Sequence, residues 1–273
     1  MAATKTVQVD GLRLAYRELG DGPPVLLLHG WPTSSFLWRE VMRPIARANR
    51  VVALDLPGFG ASDKPNDIRY NFGFFGRALD GFLAKLGIET LGLAVHDLGG
   101  PIGVHWALDR PGRVTKLALL NTLVYPEFSQ AVKEFVHACA TPDLREQLTS
   151  PSGLESIMRD GFADPAKLSP EVLAAVQEPF HTAEACRALA DAGIGLERKG
   201  FAQIARQLPT LRVPVRIVYG ARDRLLPDVA ETMARVKADL PQSELTELPD
   251  RGHFLQEEAP GEVGELLARF FAA

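Results

Sequence analysis

The chain has 273 residues, 46% of them hydrophobic and 23% charged, with a formal net charge of −4. That balance excludes a disordered chain and fits one large α/β domain, or such a core carrying an inserted subdomain. The acidic excess, with no lysine–arginine cluster, speaks against nucleic acid or an anionic membrane surface as partner.

In chain order, residues 6–19 read as an opening hairpin turning at Asp10-Gly11. Short, wholly apolar strands are predicted at 23–30, 50–58, 91–97, 114–121 and 215–220, with a sixth at 243–250. Helical spacing runs through 36–49, 74–86, 99–108 and 260–272. Trp38 and Trp106 fall within helical patterns and are expected in the core, and the Phe-rich stretch 71–76 reads as packing at a helix entry. Apolar strands without polar alternation, separated by helices, predict a mostly parallel sheet covered on both faces. The rhythm breaks at 124–207, which is helical with loops at 149–153, 163–165 and 178–180. The expectation is a helical cap at 124–207 inserted in a core made of 1–123 and 208–273.

No apolar run is long enough to span a bilayer, and the first sixteen residues lack the apolar stretch of a signal peptide. Cys139 and Cys186 are far apart and without metal-ligand spacing, so free thiols in a reducing cytoplasm are expected. No metal and no organic cofactor are expected either, because neither a ligand cluster nor a phosphate loop is present.

In open α/β sheets, sites form beyond the carboxyl ends of the strands. His29, Asp55, Asp97, Asn121 and Asp223 all fall at or just after predicted strand ends. In Val95-His96-Asp97-Leu98-Gly99 an apolar strand meets an aspartate and then small residues, where a helix is about to begin. Such a turn can present a nucleophile, or the aspartate can simply cap the helix. Gly99 and Gly100 suit the close approach of helix and strand that this turn requires. His253 follows the last strand, where a general base can stand. Asp223, with Asp228 as rival, is placed to orient that histidine. The order Asp97, Asp223, His253 is that of nucleophile, acid and base in a strand–turn–helix hydrolase. The backbone N–H groups of Trp31 and Leu98 are candidates for an oxyanion hole, and the Trp31-Pro32 bond is a candidate cis peptide.

Taken together, "HGWPTSSFLWR", "LDLPGFGASDKP", "VHDLGGPIG", "YGARDRLLPD" and "RGHFLQEEAP" resemble the aspartate-nucleophile branch of the α/β-hydrolases, which holds haloalkane dehalogenases and epoxide hydrolases. The resemblance spans nearly the whole core and is loose across 124–207. It implies that Asp97 attacks carbon, Asp223 orients the histidine and His253 activates water, with small apolar molecules as substrates and water as co-substrate. Asp55 and Gly58–Gly60 read as turn architecture.

The sequence departs from both subfamilies. The halide-holding tryptophan expected directly after the nucleophile is Leu98 here, leaving the Trp31 indole as a candidate donor. The pair of cap tyrosines usual in epoxide hydrolases is absent; Tyr125, His137 and His181 are the remaining candidate acids, and Asn121 a candidate pocket residue. The reading leans to a dehalogenase-like enzyme, with an epoxide hydrolase as the alternative and a catalytically silent binding protein as the reading from another class.

Overall fold

Among the described residues, eight strands form one sheet in the order β1-β2-β4-β3-β5-β6-β7-β8. The computed structural model describes residues 2–272. The hairpin β1 (Thr4–Val9) and β2 (Leu12–Leu19) is antiparallel, closed by Asp10 and Gly11 at φ +48° and +84°. A two-residue turn with both φ positive matches the right-handed twist of the strands it joins. β2 pairs antiparallel with β4 (Arg50–Leu54), and every later pairing is parallel. The parallel set is completed by β3 (Pro24–Leu28), β5 (Leu91–His96), β6 (Val114–Leu120), β7 (Val215–Gly220) and β8 (Glu244–Leu248). Leu26 to Leu28, Val51 to Leu54 and Leu93 to Val95 are all 1% exposed or less, as continuous apolar runs require when both faces are covered.

Between β4 and β6 the chain forms α2 (Phe72–Lys85) and α3 (Gly99–Asp109), which pack on each other. The Asn71 side chain caps α2 by accepting from Phe74 N, so this helix begins two residues ahead of its apolar pattern. The single helix expected over 36–49 is instead a 3-10 turn (Ser35–Trp38) and a short α1 (Met42–Ile45). Pro44 has no N–H to give to Glu40, whose carbonyl is met by Arg43 N instead, so a continuous ladder cannot form. Trp38 and Trp106 are buried, at 0% and 1% exposed.

After β6 come α4 (Gln130–Ala140), α5 (Pro142–Thr149), α6 (Pro151–Gly161), α7 (Pro170–Gln177), α8 (Ala183–Ile194) and α9 (Arg198–Gln207), and among the described residues no strand intervenes before β7. Helix starts in this stretch are written plainly: Ser129, Ser150, Ser169 and Thr182 each accept a backbone N–H, and Pro follows at the first position of α6 and α7. The chain ends with α10 (Val229–Asp239), which the sequence reading did not anticipate, then α11 (Leu255–Glu258) and α12 (Pro260–Ala272).

Candidate active site

The parallel register sets Leu28 beside Val95 and Leu54, and His96 beside Leu120. The residues that follow these strands therefore arrive at one edge. His29 and Asp55 serve as scaffolding there. The Asp55 carboxylate accepts from Ser35 N and Ala61 N at 2.7 and 2.8 Å, and His29 Nε2 accepts from Leu56 N at 3.0 Å.

Asp97 sits between β5 and α3 with φ +47°, in the left-handed region that costs a non-glycine residue strain. Neighbouring backbone holds it there: its N–H donates to Asn121 O at 3.0 Å and its carbonyl accepts from Gly100 N at 2.9 Å and Thr122 Oγ1 at 2.6 Å. A Cβ on Gly99 would strike the carbonyls of His29 and Leu28, and one on Gly100 would strike the Thr122 side chain. The glycines behind the turn are thus demanded by close packing.

The Asp97 carboxylate is held through Oδ1 and leaves Oδ2 towards His253. Oδ1 accepts from Trp31 N at 2.7 Å, and the Leu98 N–H lies near enough to favour the charged carboxylate. Oδ2 lies 3.6 Å from His253 Nε2, a buried nitrogen with no protein hydrogen-bond partner. The Trp31-Pro32 bond is cis. Behind His253, Nδ1 donates to Asp223 Oδ2 at 2.8 Å. Asp223 Oδ2 also accepts from Asn121 Nδ2 at 2.7 Å, while Oδ1 accepts from Leu225 N and Leu226 N at 2.9 and 2.8 Å. Asp228, the rival, precedes α10 and does not meet the histidine.

Burial holds the Asp97 carboxyl above the usual carboxylate range. Burial alone would push His253 down, but the adjoining Asp223 carboxylate, helped by Asp97, reverses this and raises it above the ordinary histidine value.

A cavity of about 630 Å³ opens over Asp97 and His253. Leu98, Phe128, Phe135, Leu148, Ile157 and Phe201 give it an apolar wall, with Lys133, Arg198 and Arg224 as its cations. Four of the expected pocket residues are not brought to it. Asn121 is fully buried behind Asp223, with Oδ1 accepting from Gly220 N at 2.8 Å. Tyr125 turns outward to Asp239 Oδ2 at 2.7 Å, beneath the Arg235 guanidinium. Residues 131–136 and Ala138 of α4 line the wall, whereas His137 is exposed and outside the lining. His181 is exposed, its Nδ1 hydrogen-bonded to Glu178 O at 2.8 Å. Trp31 does line the cavity, but its indole N–H is donated to Leu189 O of α8 at 3.1 Å, and its ring meets Phe135 edge-on.

Three supporting residues were missed in the sequence. His96 Nε2 donates to His253 O at 2.9 Å, bracing the segment that carries the ring. Gly161, at the end of α6, accepts from His253 N at 2.7 Å. Glu258 accepts from Gly252 N at 2.6 Å and Asp164 N at 3.2 Å, joining the histidine loop to the segment after α6. A histidine inside an otherwise apolar strand was the one available signal, for His96; the other two act through main-chain contacts that leave no pattern.

A parallel sheet, a carboxylate on a strained strand-to-helix turn and a buried histidine–aspartate pair behind it are the marks of a hydrolase built on a nucleophile elbow. Residues 23–260 match the family model described as alpha/beta hydrolase fold, and the chain belongs to the α/β-hydrolase family. It is 31% identical over 264 residues to haloalkane dehalogenase 2 of Mycobacterium tuberculosis, spanning 95% of this chain and 91% of that protein. Among solved structures it is similar to haloalkane dehalogenase DbeA from Bradyrhizobium elkani (TM-score 0.86, 28% identity, 100% and 98% covered). The epoxide hydrolase CorEH matches with a TM-score of 0.84 at 24% identity, covering 100% of this chain and 99% of that one, a likeness of fold alone.

Proposed function

We propose that the protein hydrolyses carbon–halogen bonds of small apolar molecules through an alkyl ester on Asp97. The observation that carries this is the way the carboxylate is held: Oδ1 accepts from Trp31 N, and Oδ2 is left towards His253 under an apolar cavity. Oδ2 attacks the carbon bearing the halogen, the C–O bond forms as the carbon–halogen bond breaks, and halide leaves with the electron pair. His253 Nε2 then takes a proton from water, which adds to the carboxyl carbon of the ester. The oxyanion develops on Oδ1, between the Trp31 and Leu98 amides, and its collapse breaks the Cγ–Oδ2 bond, the alcohol leaving with Oδ2 and the proton that His253 took from water. Asp223 fixes the Nδ1–H tautomer and steadies the imidazolium, and Asn121 holds Asp223. Residues 124–207 act as the cap over a core of 1–123 and 208–273. For an epoxide, the wall offers no hydroxyl among the described residues, so no phenol could protonate the ring oxygen.

A single turnover of a bromoalkane in ¹⁸O-water tests this reading. Label found in Asp97, with the alcohol oxygen unlabelled, is the expected result. Label found only in the alcohol means direct attack by water, and no turnover at all means a binding protein.

The shifted ionisations set the pH dependence. Alkylation needs Asp97 charged, and ester hydrolysis needs His253 neutral. The His253 pKa is raised, so its useful form is lost as pH falls through a value above the ordinary histidine one. Expected is an acid limb in kcat centred on that raised value, with kcat/KM for a bromoalkane persisting to lower pH because it stops at alkylation. Superimposed limbs would show one group controlling both steps.

A further inference from the structure

We infer, resting on the dehalogenase reading above, that the site has no hydrogen-bonding seat for the departing halide and therefore serves bromo- and iodoalkanes, leaving chloroalkanes with no more help than their own reactivity gives. The amide and indole N–H groups around the nucleophile are already spent, and His253 Nε2, 3.6 Å from Asp97 Oδ2, stands on the attacking side of the carbon, opposite the departing halide. The main-chain N–H of Trp31 goes to the Asp97 carboxylate at 2.7 Å, and that of Leu98 lies beside the same carboxylate. The Trp31 indole goes to Leu189 O at 3.1 Å, the Asn121 amide to Asp223 and Gly220 O, and His253 Nδ1 to Asp223. Leu98, next to the nucleophile and lining the cavity, presents only carbon. The cations of the wall are solvent-exposed, and two are tethered elsewhere: Arg224 to the carbonyls of Arg159, Asp160 and Phe162, and Arg198 to Pro126 O.

An anion born against carbon is stabilised by dispersion and by the spread of its own charge. Chloride concentrates its charge and is the stronger hydrogen-bond acceptor, so it loses most where donors are missing; bromide and iodide are larger and softer and lose less. The bond changes are those of the first step above, with no proton transferred as halide leaves, so no further donor is required by balance.

The test is the ratio of kcat/KM for 1-bromobutane over 1-chlorobutane, with 1-iodobutane alongside, read as halide release. The reference is the ratio for acetate attacking the same compounds in a dipolar aprotic solvent. The expected result is an enzyme ratio no smaller than that reference, since a working donor serves chloride better than bromide and compresses the ratio by the difference between the two hydrogen bonds. Leu98→Trp, which adds an indole N–H, is expected to raise kcat/KM for both compounds and to compress the ratio, while Leu98→Phe, which adds bulk alone, leaves it unchanged. A wild-type ratio already below the reference, or equal ratios in the two variants, overturns the inference while leaving the dehalogenase reading intact. Halide released from none of the three compounds overturns both.

Discussion

His253→Phe is expected to stop the reaction halfway. Turnover should fall by roughly 10⁴-fold or more, the loss that removing a member of a catalytic triad causes. Alkylation does not need the base, so Asp97 should still displace one halide per molecule. Intact-mass spectra should then show the protein heavier by the alkyl group less one hydrogen. Phenylalanine suits the place: the His253 ring is 1% exposed and packed edge-on against Phe254, with the His96 ring 4.7 Å away. The brace from His96 is to the main-chain carbonyl at 253 and survives the change. Undiminished turnover, or no adduct from any haloalkane, would remove His253 or Asp97 from the roles given to them.

Asp223→Asn should cost nearly as much in kcat, roughly 10⁴-fold, for a different reason. Both carboxylate oxygens are acceptors only: Oδ1 for two backbone amides and Oδ2 for His253 and Asn121. An amide keeping its oxygen on the Leu225 and Leu226 N–H groups must turn its NH₂ towards His253 Nδ1. The imidazole then carries its proton on Nε2 and cannot take one from water. The signature is a burst of one equivalent of halide followed by a stall, with kcat/KM falling far less than kcat. A proportional loss in both would mean that Asp223 serves alkylation as well.

The core elements were legible because continuous apolar runs and strand-end polar residues are local features. Asp97, Asp223 and His253 were legible for the same reason, being chemically distinct residues that follow β5, β7 and β8 in a fixed order. Residues whose use depends on tertiary partners were not. Asn121 was recognised at a strand end, but only the approach of β7 shows that it faces Asp223 and not substrate. Tyr125 is claimed by Asp239, 114 residues later, and the Trp31 indole by Leu189, 158 residues later. His137 is left to solvent at the edge of the cavity wall, which composition around it does not reveal. The break at Pro44 was visible in the sequence, yet the apolar spacing on either side outweighed it.

The hydrogen bond from His253 N to Gly161 O, with Glu258 bridging Gly252 N and Asp164 N, also limits how this chain can diversify. Substitutions along α4 and α8 can reshape the cavity wall without touching the histidine. The main-chain path at 161–164 has no such freedom, because shifting it drags the base off its line with Asp97. A chimera that grafts a relative's cap onto this core should therefore keep 161–164 native and exchange only what precedes it and follows it.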